Sequence, residues 1–222
     1  MINVKKWILG IVLIAQSVEP YCAEMSSEKL AQELVQEPIQ LVDIASINSF
    51  IKLDIRYATV NNFIGRAVYP AAKCLLRKEA AAQLIYVQKL LQQNNKRLIV
   101  FDCYRPFSIQ QTFWRLVPDA RYVAKPILSE GLPIAGSRHN RGMAVDVSLA
   151  DEKGLPLEMP TDFDDFSEKA HRNYKGHSQQ AKKHLQILEQ AMHEAGFKGI
   201  ATEWWHFDAI GWEKYTLLDI SF

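Results

Sequence analysis

Apolar residues recur at helical spacing in two long segments of the chain. In residues 77–94 and again in residues 178–195, hydrophobic side chains lie three or four positions apart, as on one face of an amphipathic helix. Gly196 follows the second segment directly and is typical of a helix end. A shorter segment, residues 109–116, follows Ser108, a residue type that caps helix N-termini. The pattern therefore predicts three helices, with Ser108 as the cap of the middle one.

A period of two predicts strands between these helices. Residues 51–55 alternate between apolar and charged side chains, as in a half-buried strand, and residues 143–149 also alternate. A short apolar run at residues 98–101 and an aromatic-rich run at residues 202–210 predict two further strands. Because strands and helices are mixed without a regular βαβ rhythm, we expect an α+β fold rather than a doubly wound sheet.

The first 17 residues have the pattern of an export signal. Two lysines give a positive start, and an uninterrupted apolar run of nine residues follows at 7–15. As a helix this run rises about 14 Å, far less than the roughly 30 Å hydrocarbon core of a bilayer, so a signal peptide is favoured over a membrane span. We expect cleavage after Ser17, or alternatively after Ala23, and an exported, periplasmic or secreted domain at residues 24–222. A buried N-terminal element is the alternative.

Composition narrows the classes of partner. Lys and Arg number 26 against 25 Asp and Glu, so a net charge of +1 gives no reason to expect a nucleic-acid partner. No later apolar run is long enough to span a membrane after the signal is removed. Three cysteines are too few for a disulfide scaffold. In an oxidising compartment Cys74 and Cys103 are candidates for one disulfide, and buried free thiols are the alternative.

The stretch from Ser137 to Asp146 carries the first candidate site residues. His139 lies in a predicted loop, Asp146 lies inside a predicted strand, and Gly142 permits the chain to bend between them. A buried carboxylate is costly without a partner, so Asp146 requires one. A metal ion, an arginine or a backbone amide would each serve.

A second stretch, from Glu203 to Asp208, places a glutamate three residues before His206. Two histidines and one aspartate give three ligands and leave one position for water, the plan of a catalytic zinc site. Zinc lowers the pKa of such a water to about 7, and Glu203 would accept its proton and pass it to the departing amine. From the residues alone, packed or surface histidines are the alternative. The two stretches lie about 60 residues apart, which gives no proof that they meet.

The two stretches together resemble the signature of the zinc D-Ala-D-Ala peptidases. The motifs are Ser-x-His-x-x-Gly-x-Ala-x-Asp from Ser137 and Glu-x-Trp-His from Glu203. The chain most resembles the dipeptidase branch of this family, of the vancomycin-resistance type. The resemblance covers about residues 40–210 and consists of five motifs that follow one another in the same order along the chain. These lie at residues 54–65, 102–106, 137–142, 163–168 and 203–207.

The resemblance implies a role for each candidate residue. His139, Asp146 and His206 would be the ligands of one zinc ion per chain, and Glu203 would be the catalytic base. Arg105 would stabilise the tetrahedral intermediate, a task that suits a planar, permanently charged guanidinium.

The ends of the substrate are assigned by the same resemblance. Ser137 would lie near the substrate carboxylate, and Asp164 or Asp165 would bind the free ammonium. Tyr57 would line the pocket. A loop serine, solvated carboxylates and a core tyrosine are the corresponding structural alternatives. The pair Trp204-Trp205 is expected to pack around the site.

The resemblance therefore implies an α+β zinc metallopeptidase whose central antiparallel sheet carries the ligands. It would hydrolyse free D-Ala-D-Ala to two D-alanines in the turnover of cell-wall peptides. A zinc DD- or LD-carboxypeptidase acting on longer peptidoglycan peptides is the near alternative, and a non-catalytic zinc-holding peptide-binding module is the distant one. Two features depart from the pattern: Pro160 stands where a glycine is expected, and residues 118–136 fit only loosely. The oligomeric state is not indicated.

Overall fold

A five-stranded mixed sheet is the centre of residues 40–222, the part of the chain that the computed structural model describes. The expected signal at residues 1–17 and its two cleavage positions lie outside the described residues. Within residues 40–222, no helix is long and apolar enough to cross a membrane. In chain order the elements are β1 Leu41–Asp43, α1 Ile44–Ile47, β2 Lys52–Leu53, β3 Leu75–Arg77, α2 Lys78–Gln92, β4 Lys96–Asp102, α3 Phe107–Leu116, β5 Ile127–Ser129, β6 Leu132–Ala135, β7 Ala144–Asp151, α4 Gln179–Glu194, β8 Phe197–Gly199 and β9 His206–Ala209.

The strand order of the central sheet is β2-β4-β7-β9-β8, and two small antiparallel sheets, β1-β3 and β5-β6, lie apart from it. The prediction of an α+β fold is confirmed. The predicted antiparallel centre is present in β4-β7-β9-β8, whose three pairs are all antiparallel, while the edge strand β2 pairs with β4 in parallel and makes the sheet mixed. Parallel neighbours require a crossover connection, and here the chain makes it through β3 and α2.

The two long helices pack against each other and against the sheet, as their apolar faces predict. The helix predicted at 77–94 is α2, and the helix predicted at 178–195 is α4, which Ser178 caps by accepting from the N–H of Ala181 at 2.9 Å. The buried core between them and the sheet includes Leu84, Val87, Leu188, Met192, Leu98, Val100, Val147 and Leu149. Burying such apolar area is the main stabilising contribution to a fold of this kind.

The predicted cap of α3 is wrong. Pro106 stands at the N-cap position and offers no side-chain hydrogen bond, while Ser108 lies inside the helix. The backbone N–H and the hydroxyl of Ser108 both donate to Asp219 Oδ1, at 2.9 and 2.7 Å. The C-terminal segment thus supplies the capping carboxylate from 111 residues away.

Two predicted strands are shorter than expected. Of residues 51–55 only Lys52–Leu53 is strand, because the chain turns into a 3₁₀ helix at Arg56–Ala58. Of residues 202–210 only His206–Ala209 is strand. The structure also pairs Cys74, just before β3, with Cys103, just after β4, in the disulfide that the sequence left open.

Candidate metal centre and active site

His139, Asp146 and His206 converge on one buried point. Asp146 on β7 lies directly opposite His206 on β9, and the 3₁₀ turn Arg138–Arg141 brings His139 to them. His206 Nδ1 lies 3.0 Å from Asp146 Oδ1 and 3.1 Å from His139 Nε2, and the third edge, His139 Nε2 to Asp146 Oδ1, is 3.4 Å. Tetrahedral ligands at zinc bond lengths lie roughly 3.3 Å apart, so the three atoms have the spacing of such a face.

The turn that carries His139 is fixed at both ends. Ser137 caps it by accepting from the N–H of His139 at 3.2 Å, and the side chain of Asn140 accepts from the N–H of Ser137 at 2.8 Å. Gly142 ends the turn with φ of 69°, a conformation that favours glycine. A Cβ there would lie 2.9 Å from Leu41 Cδ2 and 3.3 Å from the backbone nitrogen of Arg77, so a larger residue would also be crowded.

Each histidine is oriented by a hydrogen bond from its other ring nitrogen. His139 Nδ1 donates to the backbone carbonyl of Cys103 at 2.7 Å, and His206 Nε2 donates to Asp208 Oδ1 at 2.9 Å. A carbonyl oxygen only accepts, so the proton of a neutral His139 sits on Nδ1 and its Nε2 lone pair faces the cluster. Outer partners of this kind fix the tautomer of metal-ligating histidines.

The electrostatics of the cluster favour a positive charge at its centre. Burial lowers the pKa of His206, but its hydrogen bonds with Asp146 and Asp208 outweigh burial and raise that pKa to about 10. Burial likewise raises the pKa of Asp146, yet His139 and His206 outweigh it and lower that pKa below its usual range. A divalent cation at this point would supply positive charge in place of the proton, and imidazole and carboxylate are ligands that zinc accepts.

Glu203 stands beside the cluster without joining it. Its Oε2 lies 4.0 Å from His206 Nδ1, and the carboxylate belongs to none of the three edges above. Burial raises the pKa of Glu203. The residue faces the same cavity as the three candidate ligands, so its carboxylate is placed to exchange a proton with a molecule held there.

Arg105 is held against the cavity by a buried carboxylate. Its Nε and Nη2 donate to Asp102 Oδ2 at 3.1 and 2.6 Å, and its Nη1 donates to Gln110 at 2.8 Å. Asp102 is fully buried and also accepts from the hydroxyl of Tyr69 at 2.7 Å. One N–H on each terminal nitrogen is left without a partner among residues 40–222. Burial lowers the pKa of the Arg105 guanidinium, but the charge of Asp102 outweighs burial and raises that pKa above its usual value.

A cavity of about 440 Å³ joins these groups and has the size of a small-molecule site. Eight of the candidate side chains line it: Tyr57, Arg105, Ser137, His139, Asp146, Asp164, Glu203 and His206. Residues 120–124 and Gly136, from the segment that fits the family pattern loosely, also contribute to its wall.

Asp164 carries an unpartnered oxygen at this cavity. The hydroxyl of Tyr57 donates to its Oδ1 at 3.1 Å, while Oδ2 is shielded from solvent and has no partner among the described residues. Burial and the charge of Asp146 raise the pKa of Asp164 to about 8. Asp165, the other candidate, instead accepts from the N–H of Ser167 at 2.8 Å and does not line the cavity.

The comparisons with known proteins agree with the motifs. The family model described as D-ala-D-ala dipeptidase, Peptidase_M15, matches residues 37–217. A D-alanyl-D-alanine dipeptidase of Escherichia coli is 34% identical over 85% of this chain and 94% of its own length. One of Enterococcus faecium is 27% identical over 71% and 85%.

The chain belongs to the D-Ala-D-Ala dipeptidase family. It is accordingly a metallopeptidase. Among solved structures, the mutant vancomycin resistance D,D-pentapeptidase VanY in complex with Zn(II) matches with a TM-score of 0.38 at 16% identity, covering 65% of this chain and 78% of that one. That likeness is too distant to support an inference.

Sequence reasoning missed the residues that hold the site residues in place. Asp102 and Asp208 were given no role, although Asp102 pairs with Arg105 and Asp208 with His206. The sequence did contain a signal for Asp208. It lies two residues after His206 in the predicted strand, and residues two apart on a strand point to the same face. The expected packing of Trp204 and Trp205 agrees with the structure, since both are buried and Trp205 lines the cavity.

Proposed function

We propose that this metallopeptidase hydrolyses free D-Ala-D-Ala, with one zinc ion held by His139, Asp146 and His206. The observation that carries the proposal is a buried triangle of three candidate ligand atoms, 3.0 to 3.4 Å apart, with the carboxylate of Glu203 beside it. Family membership supports the same chemistry, because the curated relatives are named D-alanyl-D-alanine dipeptidases.

Zinc, when bound, supplies Lewis-acid polarisation and a water of lowered pKa. The chain supplies the ligands and their orientation: the carbonyl of Cys103 and the carboxylate of Asp208 hold the two rings so that Nε2 of His139 and Nδ1 of His206 face the centre.

Glu203 is the proposed general base and acid. Its carboxylate takes the proton that the attacking water loses and returns it to the nitrogen of the departing D-alanine, so the carboxylate is regenerated at the end of the cycle. Its partly desolvated position suits this task, because burial raises its pKa toward the range in which a carboxyl group both accepts and donates protons.

Arg105 is proposed to stabilise the negative charge that develops on the attacked carbonyl oxygen. The salt bridge with Asp102 and the bond to Gln110 hold the guanidinium in one orientation before substrate binds. A donor group fixed in advance avoids reorganisation during the reaction, which is the main source of this type of stabilisation.

The two ends of a dipeptide have candidate partners in the cavity. The unpartnered Oδ2 of Asp164 is proposed to accept from the substrate ammonium, with Tyr57 holding the other oxygen. The hydroxyl of Ser137 already accepts from His139 N–H, so its own hydrogen is available to donate to the substrate carboxylate.

This arrangement favours a dipeptidase over a carboxypeptidase for longer peptides. An N-acylated peptide has no ammonium, so its binding would leave Oδ2 of Asp164 without a hydrogen-bond partner in a desolvated position. A purely binding protein would need no base, and Glu203 argues against that alternative.

The decisive assay compares free D-Ala-D-Ala with N-acetyl-D-Ala-D-Ala on protein of measured metal content. We expect about one zinc per chain and cleavage of the free dipeptide, with little or no cleavage of the blocked one. Equal cleavage of both would indicate a carboxypeptidase. A zinc-loaded protein that cleaves neither would contradict the proposal.

We also propose that the protein is exported and acts on cell-wall peptides outside the cytoplasm. The support is the lysine pair and apolar run within residues 1–17, together with a disulfide that needs an oxidising compartment. Recovery of D-alanine from wall peptides fits this location, because antibiotic resistance would require removal of cytoplasmic dipeptide. N-terminal sequencing of protein from a Gram-negative host should start at or near Val18 or Glu24, and an intact Met1 in the soluble fraction would contradict export.

A further inference from the structure

We propose that the Cys74–Cys103 disulfide is a positioning element of the metal site: it holds the backbone carbonyl of Cys103, which orients His139. The inference rests on the proposed function, since it assumes that His139 binds zinc. It assigns to the disulfide a role in metal affinity, in addition to its contribution to the stability of the fold.

The carbonyl lies where the sheet no longer supports the chain. The pairing of β4 with β7 ends at Asp102, after an irregularity in register between Val100 and Asp102. Cys103 is the next residue, and its carbonyl accepts from His139 Nδ1 at 2.7 Å instead of from a neighbouring strand. The orientation of the His139 ring therefore depends on the position of a backbone group beyond the end of a strand.

The disulfide joins this segment to the small β1-β3 sheet. Cys74 immediately precedes β3, which pairs with β1, and its carbonyl accepts from the N–H of Ile44 at 2.9 Å. Besides the disulfide, hydrogen bonds hold the backbone between Cys103 and α3: Tyr104 N–H donates to the carbonyl of Leu75 at 2.9 Å, Arg105 N–H donates to the carbonyl of His139 at 3.1 Å, and the carbonyl of Arg105 accepts from Asn140 Nδ2 at 2.8 Å. The last two join the segment to the turn that itself has to be positioned, so they give no independent anchor.

Both cysteines are buried, with 0% and 1% of their surface exposed. A shielded disulfide is not exchanged readily in the folded protein, so it acts as a permanent support and not as a switch. Loss of an outer partner of a metal-ligating histidine typically weakens metal binding 10- to 100-fold. Because the carbonyl would be loosened and not deleted, we expect about a tenfold loss of zinc affinity without the disulfide.

The competing explanation is that the disulfide contributes only global stability by closing a loop across a sequence separation of 29. In that case the fraction of protein that remains folded would bind zinc as tightly as before. The two explanations are separated by measuring zinc affinity and ligand geometry well below the melting temperature.

The test uses two forms of the mature protein that lack the bond. The first is the Cys74→Ala/Cys103→Ala double variant, and the second is the wild-type chain refolded with a reductant, which keeps both sulfur atoms and the core volume. Zinc affinity is measured by competition with a chromophoric chelator, and the cobalt(II)-substituted site is compared by its visible absorption spectrum. Leu188→Ala, a cavity variant in the core of α4, is the control for lowered stability alone.

We expect both bond-free forms to bind zinc about tenfold more weakly and to show an altered cobalt spectrum, while Leu188→Ala melts earlier but keeps wild-type affinity and spectrum. If either bond-free form is folded and matches the wild type in both measurements, the inference is overturned. A wild-type protein that binds no zinc would instead overturn the proposed function itself, and this inference with it.

Discussion

Replacing Asp164 with asparagine should stabilise the protein while weakening its affinity for the dipeptide. The carboxyl pKa of Asp164 is raised to about 8 by burial and by Asp146, against about 3.9 in an unfolded chain. Between these two values the unfolded state holds fewer protons than the folded state, so the free energy of unfolding falls as pH rises. Above pH 8 the penalty is complete, and below about pH 4 it is absent.

The size of the effect follows from the shift. The pH of 7 lies about three units above the pKa of the unfolded state and still below that of the folded state. Since one unit is about 1.4 kcal/mol, the penalty at pH 7 is about 4 kcal/mol as an upper value. A cation bound at Asp146 removes part of the cause, and water at the cavity mouth screens the remainder, so we expect about 2 kcal/mol for the zinc-loaded protein. Asparagine has no charge and escapes this penalty.

Urea unfolding at pH 5, 6, 7 and 8 measures the gap in the free energy of unfolding between Asp164→Asn and the wild type. It should grow with pH by at most about 1.4 kcal/mol per unit, and the variant should be the more stable protein at pH 7. At the same time the KM for free D-Ala-D-Ala should rise. Asp165→Asn is the matched control, because its carboxylate accepts from Ser167 outside the cavity and should give no such gap. A difference that does not change with pH, or a variant less stable throughout, would refute the assignment of a carboxyl group with one shielded, unpartnered oxygen.

Three further predictions test the ligands, the base and the fold. His139→Ala and His206→Ala should each lose zinc, since a three-ligand site does not keep its geometry with two, and full zinc retention by metal analysis in both would contradict the assignment. Glu203→Ala should stay folded and zinc-loaded but lose about 10²–10⁴-fold in kcat, with KM changed less; wild-type turnover in that protein would rule out the base. Asp219→Ala should lower the free energy of unfolding by about 1 kcal/mol through loss of the α3 cap, with activity unchanged, and an unshifted urea midpoint would show that the cap is not stabilising.

The elements that local pattern specifies were the ones that the sequence predicted well. The helices at 77–94 and 178–195 and the strand at 143–149 each occur within a few residues of the predicted bounds. Their periodicity is a property of neighbouring residues. The cap of α3 was predicted wrongly because its carboxylate, that of Asp219, comes from the far end of the chain. The parallel pairing of β2 with β4 was also missed, because a two-residue strand carries no sequence signal of the strand with which it pairs.

The sequence indicated which residues could bind a metal ion, but it did not show that they come together in space. Sequence alone placed His139 and Asp146 in one stretch and His206 in another, and only the resemblance joined them. In the structure the join is the register of β7 on β9, which sets Asp146 directly opposite His206. Register is fixed by the burial of whole strand faces, so it is a property of the assembled sheet and not of either stretch.

The outer partners of the two histidines show how far sequence reasoning extends. Asp208 lies two residues after His206 on one strand, so its alignment with that ring follows from the strand period and was within reach of the sequence. The partner of His139 is a backbone carbonyl, which every residue possesses, so no residue type marks it. What sets that carbonyl apart is its place beyond the end of β4 and the covalent tie of Cys103 to Cys74. If that tie holds the carbonyl as proposed, the two cysteines were the sequence signal of this outer partner, and they indicated a candidate disulfide without showing that it supports a ligand.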